Sequence, residues 1–250
     1  MHLPQLVGYL DDYLRVRSIP DAAEALNGLH VANRGEVTRV GAAVDLCEAT
    51  IQLAVEREVN LLLVHHGLFW GGLRPLVGPQ LRRVALLLQH DVAVYSAHLP
   101  LDLHPEVGNN TVLARALGIA CQGPFGESRG IQIGIWGELA VSRDELRERI
   151  SRALGSPPKL MGFGPATTRR IGVVTGAAGT MIAQAAAAGL DTFITGEGPH
   201  HAYFDAEELG LNVLFGGHYA TETVGVKALA EHLQLKFGLP WVFLDHPTGL

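Results

Sequence analysis

The sequence predicts an α/β fold, and two observations support this class. Short apolar segments of strand length alternate with segments of helical periodicity along most of the 250 residues, which is typical of helices packed on a largely parallel sheet. The two halves also resemble each other, because in each a helix leads through a short turn into a strand that ends in polar residues. We therefore predict two related α/β lobes, residues 1–125 and 126–250, whose strand ends face one cleft. The C-terminal helix is free to pack back on the first lobe.

The first half contains a regular succession of predicted elements. Leu6, Leu10 and Leu14 recur at helical spacing and indicate an amphipathic opening helix. Gly118 is a typical C-cap for the last helix of this half. The predicted order is helix 4–16, strand 38–43, helix 47–57, strand 60–64, helix 79–89, strand 92–97 and helix 109–117.

The second half begins with two glycine-containing connections, residues 121–130 and 155–170. Between them we predict one strand, 132–137, and one helix, which Ser142 and Glu145 begin with the spacing of a capping box. The remaining predicted elements are strand 170–174, helix 181–188, strand 191–195, helix 201–209, strand 212–215 and helix 221–233.

The composition favours a soluble, cytoplasmic protein that does not bind nucleic acid or membranes. The net charge of −6 and the 19 Lys and Arg residues supply no positive footprint for a polyanion. Cys47 and Cys121 fit neither a zinc-ligand spacing nor a disulfide framework, as expected in a reducing compartment. No segment has the pattern of a signal peptide or of a membrane span.

A histidine pair, His65 and His66, closes the predicted strand 60–64 and precedes a glycine-containing loop. Within a strand the two rings would point to opposite faces, but a loop beyond the strand end can turn both towards one cleft. A lone histidine is more often a core or surface residue, whereas a pair after a buried strand favours a metal site. Strand ends are also where parallel sheets place their chemistry.

Two further candidates follow the strand 92–97. Asp102 lies in a loop stiffened by Pro100 and is a candidate metal ligand. For His98 three roles stay open: a donor that orients a ligand, a contact to substrate, or a packing residue. We name His98 as a candidate catalytic residue.

His218 and Glu222 are four residues apart and would share one face of a helix. Two glycines before His218 indicate a close backbone approach, although a solvated first turn is the alternative. Glu197, between Gly196 and Gly198, is a candidate ligand or a general base acting on metal-bound water; the alternative is a charge at a helix entry. Imidazoles with carboxylates suit zinc, iron, manganese, cobalt or nickel.

Together these motifs resemble the Nif-three-like family, whose members are commonly labelled GTP cyclohydrolase I type 2 homologues. The resemblance covers nearly the whole chain, and four motifs in the same order make it specific. The motifs are residues 64–70 (VHHGLFW), 98–102 (HLPLD) with 108–110 (GNN), 193–197 (FITGE) and 217–222 (GHYATE).

This resemblance implies two three-layer α/β/α lobes, a dinuclear metal centre in the cleft between them, and a toroidal homohexamer. It also implies that Glu222 bridges the two ions. The ligands carried over by position are His65, His66, Asp102, His218 and Glu222, and all five are present.

The leading functional hypothesis is a dinuclear-metal hydrolase with a small-molecule substrate. Two metal ions could open the guanine imidazole ring of a nucleotide such as GTP, but they could equally hydrolyse a phosphoester or an amide. The competing hypothesis is a non-catalytic metal-binding or chaperone-like ring protein that acts through partner binding, since no residue is an unambiguous proton donor.

Overall fold

A computed structural model describes residues 1–250, and the chain divides into two compact units. The first unit consists of residues 1–107 and 225–246, and the second of residues 108–224 and 247–250. No helix is both long enough and apolar enough to cross a bilayer.

The first unit is a five-stranded sheet with helices on both faces. Its strands are β1 (Gly28–Val31), β2 (Val40–Asp45), β3 (Leu61–His66), β4 (Ala93–Ser96) and β11 (Trp241–Phe243). Its helices are α1 (Leu3–Tyr13), α2 (Glu48–Glu56), α3 (Gly78–Gln89), α4 (Leu99–Asp102) and, from Gly225 onwards, α9 (His218–Phe237).

Sheet order in the first unit is β1-β4-β3-β2-β11, with only β1 antiparallel to its neighbour. Leu62 and Leu63 of the central strand enter different cores because side chains alternate along a strand. Leu63 packs with Leu6 of α1 and Leu233 of α9. On the opposite face, Leu62 belongs to the same core as Ile51 of α2. The carboxyl ends of β2, β3 and β4 therefore lie at one edge of a sheet that is covered on both faces.

The second unit contains a six-stranded mixed sheet. Its strands are β5 (Ala120–Ser128), β6 (Ile131–Ser142), β7 (Lys159–Gly162), β8 (Thr167–Val173), β9 (Thr192–Thr195) and β10 (Asn212–Phe215). Its helices are α5 (Asn109–Leu117), α6 (Arg143–Leu154), α7 (Ile182–Ala187), α8 (Ala202–Glu208) and the first turns of α9, and a 3₁₀ turn (Gly179–Met181) precedes α7.

In the second sheet the order is β5-β6-β8-β9-β10-β7, with β8, β9 and β10 parallel. Phe193 of β9 shares a core with Ile182 of α7 on one face. Its neighbour Ile194 shares a core with Leu113 of α5 on the other face. Each unit therefore has three layers, and the predicted α/β class is confirmed.

Several predicted local features are also confirmed. Helix 109–117 and strand 212–215 have the predicted bounds. Gly118 caps α5 in the left-handed region at φ +80°. The Ser142 side chain begins α6 by accepting a hydrogen bond from the Glu145 N–H at 3.0 Å.

Other predictions were wrong in part. The connections predicted at 121–130 and 155–170 contain β5 and β7. Glycine and proline weaken an isolated strand, but here β5 pairs along its length with β6, and β7 pairs with β10. The prediction also lacked β1, α4 and β11, which have four, four and three residues and are too short to show a periodicity.

Two element ends differ from the prediction at positions that matter for the candidate site. Strand β3 continues through His65 and His66 instead of ending at Val64. Its pairing with β4 stops at Val64, whereas its pairing with β2 extends to Asp45 opposite His66. Helix α9 begins at His218, three residues before the predicted start.

The sequence-based division after residue 125 differs from the observed division after Val107. Helix α5 lies in the second unit because its buried leucines, Leu113 and Leu117, share a core with Leu146 and Ile150 of α6. Residues 225–246 return to the first unit, where Leu229 and Leu233 of α9 join the core with α1.

Candidate metal centre

Strand β3 delivers two buried imidazoles to the carboxyl edge of the first sheet. All six residues of β3 are buried, and His65 has no exposed surface. The His65 Nδ1–H donates to the Ala97 carbonyl at 2.9 Å. A carbonyl can only accept, so this bond fixes the proton on Nδ1 and makes Nε2 the coordinating nitrogen. Nε2 lies 3.6 Å from Asp102 Oδ2.

His66 is oriented by a carboxylate on the neighbouring strand. Asp45, the last residue of β2, is opposite His66 in the parallel register. Asp45 Oδ1 lies 2.8 Å from His66 Nδ1 and accepts its hydrogen bond. The acceptor again places the proton on Nδ1 and directs Nε2 towards a ligand role.

His98 occupies the N-cap position of the short helix α4, and Asp102 is the last residue of that helix. Asp21 Oδ1 lies 2.8 Å from His98 Nδ1. Asp102 is buried, beside His65. The β4–α4 segment thus brings a third imidazole and a carboxylate to the same edge as β3.

The three imidazoles of the first unit form a compact group. Ring centroids are separated by 4.7 Å for His65 and His66, 5.0 Å for His65 and His98, and 5.8 Å for His66 and His98. One ligand nitrogen of each lies within 4.8 Å of the others. The Trp70 indole lies against two of them, 4.4 Å from His66 and 4.5 Å from His98 between centroids. Trp70 therefore forms an apolar wall beside the group, a role that the sequence pattern did not assign to it.

The second unit contributes His218 and Glu222 from the first turn of α9. His218 Nε2 lies 3.2 Å from Glu222 Oε2, as the four-residue spacing predicts. Glu222 is buried at 3% exposure, so its carboxylate needs a cationic neighbour. The pair His218 and Glu222 therefore favours a positive charge beside it.

Glu197 follows β9 and contacts the other nitrogen of the same imidazole ring. Its Oε1 lies 2.7 Å from His218 Nδ1. The hydrogen bond and charge of Glu222, and then those of Glu197, raise the pKa of His218 to about 9, although partial burial acts in the opposite direction. The ring is thus held as a cation between two carboxylates when no metal replaces its Nε2 proton.

Two glycines allow the backbone to approach His218 and Glu222 closely. Gly176 has φ +70°, and a Cβ at this position would overlap Glu222 Oε1. A Cβ on Gly196 would lie 2.6 Å from Gly176 O and 2.8 Å from the His218 Cα. The Thr221 hydroxyl accepts the Gly176 N–H at 3.1 Å and joins this loop to α9.

Within each unit the structure therefore groups the predicted residues. The first unit brings together His65, His66, His98 and Asp102, and the second brings together Glu197, His218 and Glu222. Sequence reasoning missed Asp21 and Asp45, which orient His98 and His66. Asp45 could have been found from the sequence, because it ends the strand next to the one that carries the two histidines. Nothing in the sequence pattern indicated Asp21.

Comparison with known proteins places these motifs in one family. A model of the Duf34/NIF3 (NGG1p interacting factor 3) family matches residues 1–248. A protein of Deinococcus radiodurans named GTP cyclohydrolase 1 type 2 homolog is 45% identical over 249 residues, which cover 98% of this chain and 94% of that protein. The chain belongs to the Duf34/NIF3 family, as the resemblance indicated.

Solved structures agree with this assignment. The crystal structure of TTHA1606 from Thermus thermophilus has a TM-score of 0.91 and 45% sequence identity, with all of both chains covered. Reduced HcgD from Methanocaldococcus jannaschii has a TM-score of 0.85 and 25% identity, with 98% of each chain covered.

Proposed function

We propose that the chain is a dinuclear metal protein and that its metal ions serve a hydrolytic reaction. The proposed ligands are His65, His66 and Asp102 in the first unit and His218 and Glu222 in the second. The family resemblance supports this set, and the observation that carries the proposal is the arrangement of the imidazoles within each unit.

That arrangement fits a metal better than it fits ordinary packing. The Nδ1 atoms of His65, His66 and His218 each contact an acceptor, namely a carbonyl, Asp45 and Glu197. Metal-binding histidines commonly donate their second N–H to a carbonyl or a carboxylate, which fixes the ring and raises the basicity of the ligand nitrogen. In each unit, imidazoles held in this way lie beside a buried carboxylate, Asp102 in the first unit and Glu222 in the second, and imidazole and carboxylate are donors that divalent transition metals accept.

The charges around His218 also support a metal ion. In the absence of a metal, Glu197 and Glu222 favour a cationic His218, whose pKa is raised to about 9. A divalent cation at Nε2 would supply that positive charge while the Nδ1–H bond to Glu197 is retained. Zinc, iron, manganese, cobalt and nickel all accept such ligands.

Bound divalent ions would polarise a substrate carbonyl or phosphoryl group and supply a nucleophile at neutral pH. Relatives carry the name GTP cyclohydrolase 1 type 2 homolog, so a nucleotide is one candidate substrate. Phosphoesters and amides are the other classes that the same chemistry can hydrolyse. We propose Glu197 as the proton acceptor, since 45% of its side chain is exposed and one oxygen remains beyond the bond to His218.

Metal content is the first test. Protein purified without chelator should contain close to two ions per chain by mass spectrometry of the metals, and His66→Ala and Glu222→Ala should lower that number. His90→Ala is the matched control, because His90 is exposed at the end of α3. Folded wild-type protein without metal, or an unchanged metal content in both ligand variants, would overturn the proposal.

Hydrolysis is tested separately on the metal-loaded protein. We expect turnover of at least one of GTP, a phosphodiester or a cyclic amide, with loss of turnover in Asp102→Asn. Two ions per chain without turnover of any of these would reject the hydrolase and favour the non-catalytic metal-binding or chaperone-like ring protein.

We also propose that the chain forms a homohexamer, as the family resemblance implies. Light scattering should then give a mass of about 161 kDa, six times the chain mass of 26.8 kDa. A mass that corresponds to a monomer across the accessible concentration range would contradict this assembly.

A further inference from the structure

The segment before β1 places one buried carboxylate beside the imidazole group of the first unit. Asp21 has a side-chain exposure of only 6%, yet the sequence pattern gave it no role. Its two oxygens accept four hydrogen bonds at 2.7–2.9 Å. The donors are Ala22 N, Asn27 Nδ2, His98 Nδ1 and Leu99 N.

These bonds fix the conformation of His98. Asp21 receives the Nδ1–H of the ring, while the Asn27 side-chain oxygen accepts the His98 backbone N–H at 2.7 Å. Because Asn27 in turn donates to Asp21 at 2.8 Å, ring and backbone are held by one connected network. A surface histidine that merely packs does not need such a network.

The same carboxylate also supports the start of α4. Asp21 Oδ2 accepts the Leu99 N–H, the first backbone donor of the helix that ends at Asp102. Asp21 therefore contacts the segment that carries two of the candidate residues, His98 and Asp102.

We infer that the first unit offers a third imidazole, His98, to the metal centre and that Asp21 is the residue that positions it. The inference rests on the proposed function, since it concerns the same metal centre. With the proton on Nδ1, the coordinating atom of His98 is Nε2, and one ligand nitrogen of each of His65, His66 and His98 lies within 4.8 Å of the other two. Three imidazoles with a carboxylate suit a divalent transition metal.

Asp21→Asn tests the inference because it replaces one acceptor oxygen of this network by a donor while it keeps the size of the side chain. The amide oxygen can keep the two donors of Oδ2, Asn27 Nδ2 and Leu99 N. The NH₂ group then takes the place of Oδ1, where it can accept neither the Ala22 N–H nor the His98 Nδ1–H but can donate to an unprotonated Nδ1. We expect the ring to change to the tautomer that is protonated on Nε2, which cannot coordinate a metal. Loss of such an orienting partner typically lowers metal affinity by about 10–100-fold.

Two measurements follow. In metal-free protein, long-range ¹H–¹⁵N spectra should show His98 protonated on Nδ1 in the wild type and on Nε2 in Asp21→Asn, with His98→Ala identifying the signal. By competition with a chelating dye, Asp21→Asn should weaken binding of zinc or cobalt by about 10–100-fold. Asp12→Asn, an exposed change on α1, is the matched control and should leave affinity unchanged.

A double variant shows whether Asp21 acts through His98. If it does, the double variant Asp21→Asn, His98→Ala should bind metal no more weakly than His98→Ala alone. The effects of substitutions at two coupled residues do not add, because the second removes nothing further. Unchanged affinity in Asp21→Asn or His98→Ala, an unchanged tautomer, or fully additive losses would overturn the inference. Wild-type protein that binds no metal would instead defeat the proposed function.

Discussion

At the residue scale, Glu197 has two proposed roles, as hydrogen-bond acceptor for His218 and as proton acceptor, and a single substitution can separate them. Its Oε1 accepts a hydrogen bond from His218, and the same carboxylate is the proposed proton acceptor. Glu197→Gln keeps an oxygen for His218 but cannot take up a proton at neutral pH. We therefore expect the variant to retain its metal ions while kcat falls by about 10²–10⁴-fold.

The measurement combines kcat on the substrate found by screening with metal content. Glu197→Ala serves as the comparison, because it removes the bond to His218 as well and should lower metal affinity. Turnover in Glu197→Gln at the wild-type rate would assign Glu197 to orientation of His218 alone.

Gly176 provides a second test at the residue scale. An alanine there must adopt φ +70° and its Cβ must displace Glu222. Gly210→Ala is the matched control, since Gly210 has φ +65° and an added Cβ would meet no atom within 4 Å. The control should lose about 1–2 kcal/mol of unfolding free energy for the left-handed backbone alone.

Gly176→Ala should lose more than the control in urea unfolding, and it should also bind less metal because Glu222 is moved. Equal losses of stability in the two variants would show that Glu222 adapts without cost. Equal metal binding would show that its position does not matter for the ions.

Residue types and spacing could reveal the candidate ligands but not the groups that orient them. His218 and Glu222 are one helical turn apart, so local geometry predicts their contact. Asp21 and His98 are 77 residues apart, and their contact depends on how the segment before β1 packs at the end of β4. A contact of that kind depends on tertiary packing and cannot be predicted from the pattern of neighbouring residues.

At the element scale, the loop after β3 is attached to the β1 strand by a histidine. His30 Nδ1 accepts the Leu68 N–H at 3.1 Å, and its Nε2–H donates to the Leu26 carbonyl at 2.6 Å. The ring also packs so closely on Gly67 that any Cβ there would overlap it. This loop follows His66 directly, so His30 helps to hold the end of β3.

The neutral form of His30 is the one this attachment requires. Burial lowers the pKa of His30, against the opposing effect of its hydrogen bonds to the backbone of Leu26 and Ala25. The folded state therefore binds fewer protons than the unfolded chain near pH 6. The contribution of neutral His30 to stability is complete above about pH 6.5, the pKa of the histidine in the unfolded chain. It is lost as the pH falls through the pKa of His30 in the folded state.

We predict that the urea midpoint of the wild type falls as the pH decreases from 7 to 5, and that His30→Gln reduces this slope. Glutamine can accept from Leu68 and donate to Leu26 but has no titratable group in this range. His90→Gln, at an exposed position, should keep the wild-type slope. An identical slope in His30→Gln would show that other groups carry the pH dependence.

Elements with strong periodicity were predictable, whereas those that depend on partners were not. Helix α5 and strand β10 carry their own signals and have the predicted bounds. Strand β5 contains Gly123, Pro124 and Gly126, which in isolation indicate a loop. Its hydrogen bonds come from β6, so it forms as a strand only in the context of the sheet.

At the scale of the whole molecule, stability comes from apolar cores that contain no candidate ligand. Each unit has one core on each face of its sheet. The candidate ligands lie at the end of β3, at the end of the short helix α4 and in the first turn of α9, outside these clusters. We therefore expect the chain to fold without metal, in contrast to small domains whose folding depends on the ion.

The last prediction follows from this separation. An ion that binds only the folded state, at a free concentration of 100 times its Kd, adds about 2.7 kcal/mol to the free energy of unfolding. For a chain of this size, that corresponds to an increase in Tm of roughly 5–11 °C. Chelation should lower the Tm by this order while the far-UV circular dichroism at 25 °C stays unchanged. His66→Ala should already have a lower Tm and respond less to the chelator, whereas His90→Ala should respond like the wild type. Loss of secondary structure on chelation would mean that the ions are needed for folding itself, and an unchanged Tm would mean that the folded chain holds no chelatable ion.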